Sequence, residues 1–127
     1  MNKPYSKKDL LVGCITKYTK SDIEPWVESI QRSGYTGGKM MLVYDVSQDV
    51  INYLKSNHFD VYQSQLNQHI ILQRFLDLHH LLKDIDCDRI IWTDVKDVIF
   101  QTNPSHWLNK NKTKPIIACS ECITFKD

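Results

Sequence analysis

The sequence predicts an α/β domain built on a mostly parallel sheet with helices on both faces. Three observations carry that expectation. Short apolar runs of strand length alternate with stretches in which apolar residues recur every three or four positions. The runs end in polar residues, as strands buried on both faces do where they emerge at one edge of a sheet. No repeat, low-complexity stretch or internal linker interrupts the alternation, so residues 1–127 read as one domain.

The first strand is the run over residues 10–16, Leu-Leu-Val-Gly-Cys-Ile-Thr. A helix follows, with Ser21 or Asp22 as its cap and Pro25 in its first turn. Ile23, Trp26, Val27 and Ile30 form its apolar stripe, and Gly34 closes it. Residues 39–45 are the second strand. Ser47 then caps a helix whose Val50, Ile51 and Leu54 share a face. Residues 60–63 read as a short third strand. The longest helical pattern runs over 68–85, with Ile71, Leu72, Phe75, Leu78, Leu82 and Ile85 as the expected buried stripe. Residues 89–94 are a fourth strand, 104–108 a short helix and 114–119 a fifth strand.

Composition narrows the function. The chain has 127 residues, 42 % hydrophobic and 24 % charged, with a net charge of +1. One domain of that size buries roughly two-thirds of its unfolded surface. Balanced charge supplies no basic footprint for nucleic acid, and the apolar content excludes a disordered chain. No run approaches the ~20 apolar residues of a membrane span, and the polar start lacks a secretory segment. The expected location is cytoplasmic. Cys14, Cys87, Cys119 and Cys122 are too scattered for a disulfide framework. Cys119 and Cys122 have the spacing of half a zinc site without a second half.

Ligands of open parallel sheets gather at the carboxyl ends of the strands. Those ends carry Thr16, Lys17 and Tyr18, then Asp45, Asp94 and Glu121. The most informative segment is 92–101, Trp-Thr-Asp-Val-Lys-Asp-Val-Ile-Phe-Gln, in which Asp94 and Asp97 leave a buried strand three residues apart. Two carboxylates there cost desolvation energy and repel each other unless something neutralises them. A hard divalent cation bridging to a diphosphate does so. The competing reading makes Asp94 a turn cap and pairs Asp97 with Lys96 or Arg74.

The tract over residues 91–104 resembles a motif of nucleotide-sugar glycosyltransferases of the GT-A type, a variant of their D-x-D motif. The helix containing Gln73, Arg74 and Phe75 resembles the one those enzymes place before the motif. The resemblance implies a Rossmann-like donor-binding domain for a UDP- or GDP-sugar, with Mn²⁺ or Mg²⁺ as cofactor and an acceptor that stays unknown. It implies Asp97 as a metal ligand, with Asp94 on the ribose or donor sugar or reaching the metal through water. Thr16, Lys17 and Tyr18 then line the base and ribose pocket, and Asp45 contacts the base at its edge. Arg74 or Lys96 would add positive charge beside the leaving diphosphate. For Arg74 an ion pair with Asp77 competes with that role, and for Lys96 a solvent-facing position does.

Transferase domains of this type continue well beyond this length, so the chain reads as a donor-binding half, incomplete at its C-terminus. The alternative is a non-catalytic α/β module for nucleotide binding or protein interaction. Other constellations carry less. Adjacent His79 and His80 point about 100° apart and cannot chelate one ion. Trp26 and Trp107 read as packing residues and Trp92 as core. No nucleophile elbow, P-loop or dinucleotide fingerprint is present, and Gly34, Gly37 and Gly38 mark a turn.

Overall fold

A computed structural model describes residues 9–111 and 115–117. Its elements are β1 (Asp9–Thr16), α1 (Lys20–Arg32), β2 (Gly38–Tyr44), α2 (Gln48–Ser56), β3 (Asp60–Ser64), α3 (Ile70–Leu82), β4 (Arg89–Trp92) and α4 (Pro104–Lys110). The four strands form an all-parallel sheet in the order β3-β2-β1-β4. Helices cover both faces, which is the Rossmann-like α/β arrangement that the alternation of runs and stripes predicts. Of the run expected as a fifth strand, Pro115, Ile116 and Ile117 are described and unpaired; its remainder, with Cys119, Glu121 and Cys122, lies outside the described residues.

The side-chain period of two sorts the central strands onto two cores. Leu11, Ile15, Met41 and Val43 face α1 and α2, where they meet Ile23, Trp26, Val27, Ile30, Val50 and Leu54. Leu10, Val12, Met40, Leu42 and Tyr44 face α3 and meet Leu78, with Leu81, Leu82 and Ile85 packed alongside. Strands buried on both faces are what let β1 and β2 read as uninterrupted apolar runs.

Three expectations are corrected. α1 starts two to three residues earlier than expected: Thr19 is its N-cap, and the Asp22 carboxylate accepts from the Thr19 backbone N–H at 2.9 Å and from its hydroxyl at 3.0 Å. Pro25 consequently sits inside the helix. α3 meets the sheet with the expected Leu78, Leu82 and Ile85 but not with the expected residues of its first turns. Ile71, Leu72, Phe75 and Leu76 are half-exposed, whereas Gln73 and Leu78 are buried. α3 is apolar almost all round, so counting apolar residues selects a stripe without identifying which side meets the sheet. Finally, Trp92 ends β4 half-buried, stacked on Phe75 at 5.4 Å between ring centroids, and Trp107 is exposed.

At the amino edge of the sheet, Asp9 is 5 % exposed and receives two bonds from the Arg89 guanidinium, Nε at 2.7 Å and Nη2 at 2.8 Å. The Ser105 hydroxyl of α4 donates to the same carboxylate. This edge ties β1, β4 and α4 together, well away from the carboxyl ends.

Gly13 marks the tightest contact in the sheet. A Cβ there would lie 2.7 Å from Val95 Cγ2, 3.1 Å from the Met41 sulfur and 3.1 Å from the Trp26 ring. Gly13→Ala is therefore expected to destabilise the fold by about 1–3 kcal/mol through overpacking, read as a lower urea midpoint with an unchanged slope.

Candidate functional site

Strand order reverses between β1 and β4, because β1, β2 and β3 run outward on one side and the chain then crosses back. In open parallel sheets that reversal opens a crevice beyond the carboxyl ends of the strands. Thr16 ends β1 on one side of it, and the loop from Thr93 to Asp97 leaves β4 on the other.

That loop is pinned. Val95 is buried in the core under α1. The Trp26 indole N–H donates to the Thr93 hydroxyl at 3.1 Å. The Ser29 hydroxyl donates to the Trp26 carbonyl at 2.7 Å and accepts the Phe100 N–H at 3.0 Å. Burial of Val95 leaves Asp94, Lys96 and Asp97 outside, all exposed. The desolvation argument for a bridging cation is thereby corrected: the Asp94 side chain is 70 % exposed and keeps its water.

The expected site residues fall into neighbouring groups. Lys17, Tyr18 and Asp45 line a cleft of about 470 Å³ together with Thr19, Lys20, Val46, Ser47, Asp49 and Val50. Lys17 and Asp45, the residues just past β1 and β2, both adopt positive φ, 56° and 53°. Non-glycine residues take that conformation at a cost, and such turns cluster at ligand sites. The N-termini of α1 and α2 flank the same cleft. Lys96 reaches toward it, its ammonium 5.8 Å from the Tyr18 ring centroid and 3.9 Å from Asp22. Asp22, its charge stabilised by the Thr19 N–H and hydroxyl, stays below the usual carboxylate range.

Arg74 and Asp94 make a second group, 3.5 Å apart. The guanidinium lies over the rings of Phe75 at 5.2 Å and Trp92 at 5.8 Å. Arg74 thus pairs across to the β4 exit; an i,i+3 pair with Asp77 does not form. Asp77 instead accepts from the Tyr44 hydroxyl at 2.5 Å and from the Gln73 amide at 3.1 and 3.2 Å. Asp97 is exposed on the same loop as Asp94 and makes no hydrogen bond or ion pair with any described residue.

Gln73, Asp77 and Tyr44 were not readable as site residues from their types alone. The available signal was polar residues at 73, 74 and 77, one face of an otherwise apolar helix. Burial beside them pushes the Cys14 thiol up to about 12. Burial, and then its bond to Asp77, likewise raise the Tyr44 phenol. Cys14 therefore stays a neutral thiol through physiological pH.

Among the described residues no group of three or more His, Cys, Asp or Glu side chains forms a metal centre. A hard divalent ion of the Mg²⁺ type needs only one or two carboxylates, because substrate phosphates and water complete its shell. Asp97 and Asp94 fit that requirement in chemistry, with Asp97 the one whose charge is unmatched by a described neighbour. Among the described residues no helix is long and apolar enough to cross a membrane. No protein-family model matches the chain, and no curated protein matches it at a significant level.

Proposed function

We propose that this chain is the donor-binding part of a metal-dependent glycosyltransferase of the GT-A type, using a UDP- or GDP-sugar. The observation that carries the reading is the loop from Thr93 to Asp97, fastened by Val95 and Trp26 so that its two carboxylates stand at the crevice between β1 and β4. A metal held there by Asp97, with Asp94 assisting, would act as a Lewis acid on the departing nucleoside diphosphate. The chain's own groups do the rest. Tyr18 and Asp45 receive the nucleoside in the cleft, the ring by stacking and the carboxylate by accepting hydrogen bonds. Lys17 and Lys96 add positive charge beside the phosphates. Thr16 and Arg74 border the α3 side of the crevice, where the transferred sugar would sit.

A second reading, a non-catalytic α/β nucleotide-binding or interaction module, draws on the Arg74–Asp94 and Lys96–Asp22 pairs, which partly satisfy the loop's charges without a ligand. Calorimetric titration with UDP and GDP, with and without Mn²⁺, separates them. The transferase reading expects Mn²⁺-dependent heat that Asp97→Asn abolishes while the apo protein keeps its unfolding midpoint. An equal signal without metal, or none in folded protein, removes it.

A further inference from the structure

A helix on the surface of a domain turns its apolar stripe inward and its charges to water. The first turns of α3 invert that rule. Arg74 is held on the sheet side by Asp94 at 3.5 Å, and Asp77 by the Tyr44 hydroxyl and the Gln73 amide. The outward side carries Ile71, Leu72, Phe75 and Leu76, each between 48 and 56 % exposed. Their spacing places them on successive turns in two neighbouring ridges, 71–75 and 72–76. Phe75 is stacked on Trp92, which fixes its ring before any partner arrives. Exposed His79 and His80 follow the patch along the helix, and exposed Asn67 and Gln68 precede it.

We propose that this face is a two-fold interface, on which a second copy of the chain packs its own α3 antiparallel. An axis through the centre of the patch sets Ile71 opposite Leu76 of the second copy and Leu72 opposite Phe75, each pair occurring twice. Ridges of four-residue spacing interdigitate in that arrangement, the commonest packing of two helices. The polar ends match as well. His79 and His80 fall beside Gln68 and Asn67 of the second copy, rings and amides that both donate and accept hydrogen bonds.

Charge favours a copy over a charged partner. A residue near a two-fold axis meets its own twin, so any Lys, Arg, Asp or Glu there would be repelled. α3 presents none outward before Lys83, and the chain's net charge of +1 leaves little long-range repulsion between copies. An acidic or basic peptide would find no fixed counter-charge among the four apolar residues. Area agrees. Four half-exposed side chains of this size present on the order of 400 Å² of apolar surface, the level of the largest patch on a typical monomer. A standard interface takes about 800 Å² from each partner, roughly three-fifths of it non-polar. The patch with its polar ends thus supports a small, reversible dimer with a dissociation constant on the order of 10 µM. α3 lies across the sheet from α1 and α2, so the cleft at Lys17, Tyr18 and Asp45 stays open in the dimer. The proposal stands independently of the transferase reading.

Sedimentation equilibrium on the full chain tests it. The molar mass should rise from 14.9 kDa toward twice that value between about 1 and 300 µM protein. Ile71→Glu and Leu76→Lys each set a charge against an apolar residue twice in the dimer, so either variant alone should dissociate at least about 30-fold more readily. Mixed in equal amounts, they form a dimer in which the introduced carboxylate faces the introduced ammonium and the other pair remains Ile71 against Leu76. That mixture should associate at least about tenfold more tightly than either variant alone. If a charged variant does not fold, Leu72→Gln, which weakens an apolar contact beside the axis twice over, should still loosen the dimer about tenfold. Protein that stays monomeric throughout the range, as expected where another part of a longer chain covers α3, overturns the proposal. So does association that the variants leave unchanged or that climbs past the dimer. A mixture no tighter than its components excludes the antiparallel register and overturns it as well.

Discussion

Arg89→Met should lower the unfolding free energy by about 3–5 kcal/mol, the cost of removing one partner of a buried, hydrogen-bonded ion pair. Asp9 is almost fully enclosed at the start of β1, and its two bonds from Arg89 are short and parallel. With the guanidinium gone, the carboxylate loses two charge-assisted bonds, and the Ser105 hydroxyl, a neutral donor, does not replace them. Adding Asp9→Asn to Arg89→Met removes the buried charge as well and should recover a large part of the loss, a coupling that a double-mutant cycle reads directly. The damage is at the amino edge, so the folded fraction of either variant should bind nucleoside diphosphate as the unaltered protein does. Urea titration of the four proteins checks the energies. A single variant within about 1 kcal/mol of the starting protein would show that the Arg89 pair does not hold the Asp9 charge.

Trp26→Ala is expected to cost about 3–5 kcal/mol as well, with a second consequence at the opposite edge. The indole is fully buried, tilted against Phe59 at 5.7 Å and Phe100 at 6.2 Å, and its N–H holds Thr93. Truncation opens a cavity under Val95 and frees the loop that carries Asp94 and Asp97. Trp26→Phe distinguishes the two effects. It keeps most of the ring contact but strands the Thr93 hydroxyl, so stability should fall by only about 1–2 kcal/mol. Hydrogen exchange at residues 93–97 should nevertheless quicken, because the loop loses its one bond to the α1 indole. Unchanged exchange there in Trp26→Phe would mean that the indole bond does not hold the loop.

What the sequence disclosed and what it hid have separate physical causes. β1 and β2 were legible because both their faces are buried, which leaves no polar position to break the run. The exit of β4 was legible as a place where two aspartates leave the sheet, but not their exposure, because that depends on Val95 turning into the core and leaving Asp94 and Asp97 in water. The first turns of α3 were misread because the outward side of the helix is as apolar as its inward side, with Ile71, Leu72, Phe75 and Leu76 half-exposed. The polar trio Gln73, Arg74 and Asp77, which a solvent-facing assignment would absorb without comment, faces the strand ends. Long-range pairs were beyond reach in principle. Nothing local in Trp26 announces Thr93, 67 residues away, and nothing in Asp9 announces Arg89, 80 residues away. The cap of α1 was a closer miss: Thr19 and Asp22 have capping-box spacing, and the nearer Ser21 obscured it.

The reading depends on where a divalent ion goes when a nucleoside diphosphate is present. Mn²⁺ added in small amounts to isotope-labelled protein broadens the amide signals nearest the ion. With UDP or GDP bound, the account predicts that broadening centres on residues 94–97 and extends to 16–18, and that Asp97→Asn removes it. Broadening centred instead on the acidic turn at Asp84, Asp86 and Asp88, or the same pattern with and without nucleotide, would contradict it.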